Sequence, residues 1–300
     1  MMMHILAPLM AMDTPSADCI SINLVGLFGC IGAEGKISNV GVSDSYFQSS
    51  NCPYIGGVCG SNSGELQNCS NSSTVIGKEN EYRIGGVCGY NSGTVKDCKN
   101  TGSVRGKETI GGVCGYNERR YNEKGGIIEN SFNEGTVSGT GDYDVLNIGG
   151  VCGYNYGGTI KSCYNTASVS GQYSVGGVCG DNYEGPITNC YYLSGTVAGG
   201  KGGIGGKDDE NGKAVEMSKD RFKSGEVAWL LNGSKSVSTE ESTLAWYQKL
   251  GENADAYPVL TSTGDNTVYG GYQHGSRVRF FSNTVQHSTG ECKLNCVKLQ

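Results

Sequence analysis

The chain is poor in proline, in charge and in long apolar runs, and each shortage excludes a class of protein. Only 5 of its 300 residues are proline and only 17% are charged. Disordered chains are commonly rich in both, so this composition argues against disorder. No run reaches the ~18–20 apolar residues that a membrane-spanning helix needs. We therefore expect a folded protein that does not insert into a membrane.

Positive charge, histidine and catalytic motifs are also scarce. The formal net charge is −6, and the chain has 3 histidines. Since binding to nucleic acid depends on clustered Lys and Arg, nucleic acid is not an expected partner. The sequence has no HExxH metallopeptidase motif, no GxSxG nucleophile motif and no phosphate-binding glycine loop. We predict no catalytic residue, no metal site and no cofactor.

What the chain has in abundance is glycine, and much of it lies in a repeat. Glycine accounts for 50 residues. The pentapeptide Gly-Gly-Val-Cys-Gly occurs five times, beginning at Gly56, Gly85, Gly111, Gly149 and Gly176. Similarity at a period of about 20–50 residues is typical of solenoids and other repeat arrays.

Aligned on the pentapeptide, the copies show further columns of identical residues. The first cysteine column is Cys59, Cys88, Cys114, Cys152 and Cys179, and the asparagine column after it is Asn62, Asn91, Asn117, Asn155 and Asn182. A second cysteine column follows at Cys69, Cys98, Cys163 and Cys190. Asparagine tolerates the left-handed conformation, so we expect the asparagines at corners, where stacked amides hydrogen-bond from coil to coil.

Each repeat contains three short β-prone segments, none long enough to bury a face alone. The fold class predicted is all-β: a right-handed parallel β-helix (β-solenoid) of about six coils over residues 22–206. Residues 207–270 are expected to form a small mixed C-terminal cap, with one short helix from Ser218 to Asn232. Residues 271–300 are expected to be an irregular or disordered tail. Residues 1–21 are interpreted as an N-terminal remnant of a truncated start.

The cysteine columns have two interpretations. Cysteines on adjacent coils have the Cα spacing that a disulfide ladder accepts. Alternatively, free thiols form a stack of small buried side chains. We favour buried thiols, because Ser131 replaces a second-column cysteine and leaves Cys114 without a partner in its coil. The offset from Val95 to Cys98 also breaks strict alternation, so a bulge or corner must lie between those two residues.

The repeat resembles a known one. The sequence Gly-Gly-Val-Cys-Gly-Tyr-Asn, followed by Gly-Thr-Val-Lys-Asp-Cys-Lys-Asn-Thr-Gly-Ser-Val, resembles the GLUG repeat of bacterial surface proteins. That repeat also occurs in the non-catalytic region of IgA1-specific metallopeptidases. The resemblance implies a β-solenoid that is extracellular or on the cell surface and is part of a larger surface protein.

Two functions from different classes fit these features. The first is a non-enzymatic secreted or cell-surface module, stalk or adhesin-like, that presents a loop to a host or bacterial glycan or protein. The alternative is a carbohydrate-active β-helix enzyme, a polysaccharide lyase or hydrolase. Insertions into solenoids map to surface loops, often on the binding face. The candidate binding residues therefore lie in the widened coil: Glu118, Arg119, Arg120, Tyr121, Glu123, Asp142 and Asp144.

Overall fold

The computed structural model divides the chain into two compact units, Met1–Glu216 and Met217–Gln300. The residues described are 24–49, 52–78, 83–119, 125–140, 147–200, 202–205, 213–234, 244–263 and 266–269, with the short pieces 273–274, 277–278, 280–282, 287–288 and 291–292. The predicted N-terminal remnant lies outside them.

The first unit is a parallel β-solenoid, as the repeat predicted. Its strands form four parallel sheets, in which each strand pairs with its counterparts one repeat before and one repeat after. Two of the sheets contain six strands each, and the chain makes about five full turns between the first and the last of them. The expected count of about six coils is therefore slightly high. Successive strands of one repeat do not pair with each other, because their partners are the equivalent strands of the neighbouring repeats.

The first sheet contains the pentapeptide and holds two columns of strands. One column is β1 (Leu24–Val25), β6 (Tyr54–Gly56), β11 (Arg83–Gly85), β16 (Thr109–Gly111) and β21 (Asn147–Gly149). The other is β2 (Phe28–Ile31), β7 (Cys59–Asn62), β12 (Cys88–Asn91), β17 (Cys114–Glu118) and β22 (Cys152–Tyr156). The long strand β26 (Val175–Tyr183) continues both columns, and β30 (Gly202–Ile204) pairs with it.

The other three sheets hold the shorter segments of each repeat. The second sheet is β3 (Lys36–Ser38), β8 (Glu65–Gln67), β13 (Thr94–Lys96), β18 (Ile127–Glu129), β23 (Thr159–Lys161) and β27 (Ile187–Thr188). The third is β4 (Gly41–Val42), β9 (Ser70–Asn71), β14 (Lys99–Asn100), β19 (Phe132–Asn133), β24 (Tyr164–Asn165), β28 (Cys190–Leu193) and β31 (Ala214–Met217). The fourth is β5 (Tyr46–Ser49), β10 (Thr74–Gly77), β15 (Val104–Gly106), β20 (Val137–Gly139), β25 (Val169–Ser170) and β29 (Val197–Ala198).

The chain passes from one apolar cluster to another at the start of the pentapeptide. Ile55 and its equivalents pack with Val75 and its equivalents in one cluster. Val58 and Cys59, a few residues later, belong to the other cluster with Leu66. A Cβ on either glycine of the Gly111-Gly112 pair would collide with backbone oxygen atoms of its own or the next coil. The glycines are therefore explained by close backbone approach between the two clusters.

A left-handed corner just after β13 explains the odd three-residue offset from Val95 to Cys98. Val95 and Cys98 are both fully buried, and Asp97 between them has a φ of 54°. The same position in the other coils is also left-handed, at Asn39, Asn68, Asn130, Ser162 and Asn189. The expectation that the asparagine column after the pentapeptide would occupy left-handed corners is wrong, because none of its members has a positive φ.

The second unit begins with helices where the sequence predicted one. Ser218 caps α1 (Lys219–Lys223), and its side chain accepts a hydrogen bond from Arg221 N. Gly225, with a φ of 86°, then separates α1 from α2 (Glu226–Leu231), which ends at Asn232. The predicted single helix is thus two short helices. Two-residue strands follow in antiparallel pairs: β32 (Val268–Tyr269) with β35 (Phe281–Ser282), β33 (Gln273–His274) with β34 (Arg277–Val278), and β36 (His287–Ser288) with β37 (Glu291–Cys292). The role of this unit as a cap stays a prediction.

Candidate functional site

The first-column cysteines stack from coil to coil in the solenoid interior. Their strands pair in register, and the sulfur atoms of Cys59 and Cys88 are 3.6 Å apart. Ten described cysteines, including both columns, are free and buried, which agrees with the favoured interpretation. Cys30, outside these columns, is disulfide-bonded.

The chemistry of these thiols is that of a core, not of a nucleophile. Burial raises the pKa of Cys59, Cys88 and Cys152 well above the ordinary thiol value. Cys114 differs: burial also disfavours its thiolate, but hydrogen bonds with the Cys152 and Cys88 thiols outweigh burial and lower its pKa to about 6. It is fully buried, where no substrate can reach it. A nucleophilic cysteine needs the opposite, a stabilised thiolate that a substrate can reach. Four of these thiols instead donate to a carbonyl oxygen two residues later, as Cys88 Sγ does to Tyr90 O at 3.0 Å.

Two asparagine ladders run parallel to the cysteine stacks. In the first ladder each side-chain Nδ2 donates to Oδ1 of the next coil, at 2.8, 2.8, 2.8 and 2.7 Å from Asn62 to Asn182. The second ladder is formed by Asn71, Asn100, Asn133 and Asn165, with bonds of 2.9, 2.8 and 2.8 Å. Coil-to-coil amide bonding was expected, and the structure confirms it. These ladders fix the register but leave no amide free for a ligand.

Two of the candidate loop residues are described, and both lie at the base of the insertion. Glu118 ends β17, where its carboxylate accepts a hydrogen bond from the Tyr90 hydroxyl. Its carbonyl oxygen accepts from Gly126 N at 2.7 Å, which closes the base of the loop. Arg119 N donates to Tyr156 O at 2.9 Å. The remaining candidates lie outside the described residues: Arg120, Tyr121, Glu123, Asp142 and Asp144.

Next to this base, six tyrosines form a continuous path of ring contacts across the first sheet. We call it the tyrosine ribbon: Tyr54, Tyr90, Tyr116, Tyr154, Tyr156 and Tyr183. Successive ring centroids are 5.0, 5.9, 5.3, 6.3 and 5.1 Å apart. At Tyr154 the path changes from one residue column to the neighbouring one. Tyrosine follows the pentapeptide in three copies of the repeat, at Tyr90, Tyr116 and Tyr154, but the sequence alone does not show that the rings meet.

The first half of the ribbon holds a cation that the chain itself provides. The Arg83 guanidinium lies 4.0 Å from the ring centroid of Tyr116, and 5.1 and 5.2 Å from those of Tyr54 and Tyr90. Its Nη1 also donates to the Tyr54 hydroxyl at 2.8 Å. Attraction between a cation and an aromatic face strengthens when both are shielded from water. Tyr90 is only 3% exposed and Tyr54, Arg83 and Tyr116 are half-buried, so we call this half closed, with Arg83 covering the rings.

The second half of the ribbon is open. Tyr156 is 41% exposed and Tyr183 is 46% exposed, with their ring planes only 9° apart. Strand pairing places Glu118, Tyr156 and Tyr183 in one column. The earlier coils carry Ser63 and Ser92 at the equivalent position of the repeat. The change from serine in the earlier coils to tyrosine at Tyr156 and Tyr183 is visible in the sequence and could have located this surface.

Among the described residues, no group of three or more His, Cys, Asp and Glu side chains is arranged to hold a metal ion. No helix in the described part of the chain has the length and apolarity to cross a membrane. Asn ladders and thiol stacks occupy the interior, so the tyrosine ribbon and the adjoining loop base form the candidate site.

In-register parallel coils and asparagine ladders define the chain as a β-solenoid repeat protein. The family model of the GLUG motif matches residues 80–105 and 144–170, so the chain contains GLUG repeats, as the resemblance implied. Each match includes one pass through all four sheets, from β11 to β15 in the first case. No curated protein and no solved structure matches the chain.

Proposed function

We propose that the chain is a non-enzymatic module of a secreted or cell-surface protein, stalk or adhesin-like, which binds a glycan or protein partner. The tyrosine ribbon and the loop beside it form the binding surface. The observation that carries this proposal is the replacement of serine by two exposed tyrosines in the last coils of one outward column.

The contrast between interior and surface supports a binding role. The asparagine ladder keeps a 2.8 Å bond even across the coil that contains the insertion. The side chains of the outward column change from serine to glutamate to tyrosine over the same coils. A rigid interior with a varied face is what a scaffold for recognition requires, because preorganised side chains lose little entropy on binding.

Exposed tyrosine suits either class of partner. The ring offers apolar area at a low entropic cost, and the hydroxyl donates and accepts hydrogen bonds. Tyr156 and Tyr183 stack on each other, which restricts their side chains before any partner arrives.

The test is a binding screen of the full chain on glycan and protein arrays. The double variant Tyr156→Ser/Tyr183→Ser introduces the residue that the chain itself has at Ser63 and Ser92, so it should fold. Tyr173→Ser is the matched control, because Tyr173 is 39% exposed and lies outside the ribbon. We expect the double variant to lose the partners that the wild type and the control retain. Equal binding by all three proteins would refute the proposal.

The enzyme alternative is tested with the same proteins. Acidic and neutral polysaccharides are incubated with the wild type and with Glu118→Gln, and new reducing or unsaturated ends are measured. If the wild type cleaves a polysaccharide and Glu118→Gln does not, the chain is a lyase or hydrolase and the proposal of a non-enzymatic binding module is refuted. We expect no cleavage, since the Glu118 carboxylate is engaged by the Tyr90 hydroxyl.

A further inference from the structure

The first half of the tyrosine ribbon binds a guanidinium group, that of Arg83. Arg83 reaches the ribbon from β11 and lies against three tyrosine rings at centroid distances of 4.0 to 5.2 Å. A planar guanidinium stacks on aromatic faces more readily than an ammonium does. This half of the ribbon is therefore a guanidinium site whose occupant belongs to the same chain.

The second half also combines three tyrosine rings with a carboxylate, as the first half does where Glu118 accepts from the Tyr90 hydroxyl. The Tyr154 and Tyr156 rings are 6.3 Å apart and tilted by 42°, and Tyr183 stacks on Tyr156. Asp181 is the strand partner of Tyr154, so it continues the column of Tyr154 one coil further on, beside Tyr183. Burial raises the pKa of the Tyr154 hydroxyl, and the negative charge of Asp181 raises it further.

We propose that Tyr154, Tyr156, Tyr183 and Asp181 bind the guanidinium of an arginine side chain carried by a protein partner. This deepens the proposed function and rests on it, because it assigns a ligand chemistry to the open half of the same ribbon. Glu184, exposed beside Tyr183, adds negative charge at the rim, and the chain as a whole carries −6. A cationic group is thus attracted both by the rings and by the surrounding charge.

The orientation of Asp181 favours this ligand. Its Oδ1 accepts the Asn182 N–H at 2.8 Å, which holds the carboxylate in place. An ionised carboxylate has room for several donors, and arginine offers a fork of N–H groups that matches it. Arg119, the described cation nearest in sequence to this column, packs its side-chain carbons over Gly125 and Gly157. In the described part of the chain, the cation that lies over tyrosine rings is Arg83 and not Arg119.

The test uses two small probes that differ in charge and share their shape. The full chain, with isotope-labelled tyrosine, is titrated with N-acetyl-arginine amide and with the uncharged N-acetyl-citrulline amide, and ring signals are followed by NMR. We expect saturable shifts at Tyr154, Tyr156 and Tyr183 with the arginine probe and binding about fivefold weaker with citrulline. Asp181→Asn should weaken arginine binding by about the same factor. Tyr173→Ser should leave it unchanged.

The outcomes separate this inference from the proposed function. Equal binding of the two probes, shifts confined to other tyrosines, or full arginine affinity in Asp181→Asn would each overturn the guanidinium site. If an array partner still depended on Tyr156 and Tyr183 in that case, the binding module would stand with a different ligand, such as a neutral sugar. Urea unfolding of Asp181→Asn and of the Tyr156→Ser/Tyr183→Ser variant shows whether the fold is intact, so a loss through unfolding is recognised.

Discussion

Asn117 Nδ2 donates a 2.8 Å hydrogen bond to Asn155 Oδ1, across a coil of 38 residues that contains the insertion. Neighbouring rungs of the same ladder span coils of 26 and 27 residues with bonds of 2.8 and 2.7 Å. The ladder geometry therefore does not depend on coil length. Extra residues are accommodated outside the interior, because a displaced rung would leave buried amides without partners.

Replacing a rung in the middle of this ladder should be strongly destabilising. Asn117→Ala removes the acceptor of Asn91 and the donor of Asn155 in a fully buried position. Each orphaned buried group costs about 1–3 kcal/mol, so we expect a loss of about 2–4 kcal/mol in the free energy of unfolding. Urea titration measures it. Asn147→Ala, at a half-buried asparagine outside the ladders, should cost less than about 1 kcal/mol. Similar losses in both variants would contradict the ladder's role.

Arg83 should stabilise the closed half of the tyrosine ribbon. Arg83→Gln keeps a polar side chain but removes the charge that lies 4.0 Å from the Tyr116 ring centroid. Because three rings surround this cation, we expect a loss of about 1–2 kcal/mol. Arg105→Gln, at an exposed arginine of β15, is the control and should change stability by less than about 0.5 kcal/mol. An unchanged urea midpoint for Arg83→Gln would show that the guanidinium contacts contribute nothing.

The left-handed corner offers a stabilising substitution. Ser162, with a φ of 51°, occupies a position where other coils have asparagine or aspartate. Asparagine tolerates this conformation better than serine, so Ser162→Asn should stabilise by about 0.5–1 kcal/mol. Ser162→Val should destabilise by at least about 1 kcal/mol, because a β-branched side chain is strained at positive φ. Thermal unfolding distinguishes the two. The same direction of change in both variants would rule out the corner as the cause.

Stability should fall at alkaline pH because of the buried thiols. Hydrogen bonds with neighbouring thiols lower the folded-state pKa of Cys69 and Cys114, which opposes this fall. They are outnumbered by five thiols whose folded-state pKa burial raises: Cys59, Cys88, Cys98, Cys152 and Cys163. The folded state then holds these protons more tightly than the unfolded chain, whose thiols have a pKa of about 8.5. The stability that the protonated thiols contribute is therefore complete below the unfolded-state pKa and is lost as pH rises above it. At pH 9.5 each of these thiols should lower the free energy of unfolding by about 1.4 kcal/mol.

Urea unfolding between pH 7 and pH 9.5 checks this under reducing conditions. Cys98→Ser provides the matched control, since Ser131 occupies the next position of the same column and accepts the Cys98 N–H at 3.1 Å. Its stability should decrease less steeply with pH than that of the wild type. Parallel pH profiles for the two proteins would mean that the thiols are not responsible.

Part of the site was within reach of sequence reasoning. The widened coil was identified, and its described base, Glu118, does lie against the ribbon through Tyr90. The open rings of Tyr156 and Tyr183 were missed, although the change from Ser63 and Ser92 is visible in the aligned copies. Ring contacts join residues that are distant in sequence, so a column of tyrosines does not by itself show whether the rings stack, close over a cation or face solvent.

The repeat in the sequence was sufficient to establish the solenoid, its coil-to-coil register and its ladders. Identical residues at one repeat position stack when the coils are in register, and Asn91 and Asn117 do so. Only the tertiary structure decided that Asp97, not a ladder asparagine, turns the left-handed corner, and that the chain passes from one apolar cluster to the other at the start of the pentapeptide. It also decided that Arg83 fills one half of the ribbon while the other stays open. The physical reason is that the coil period is a property of the chain, whereas backbone corners and side-chain contacts depend on what neighbouring coils place against them.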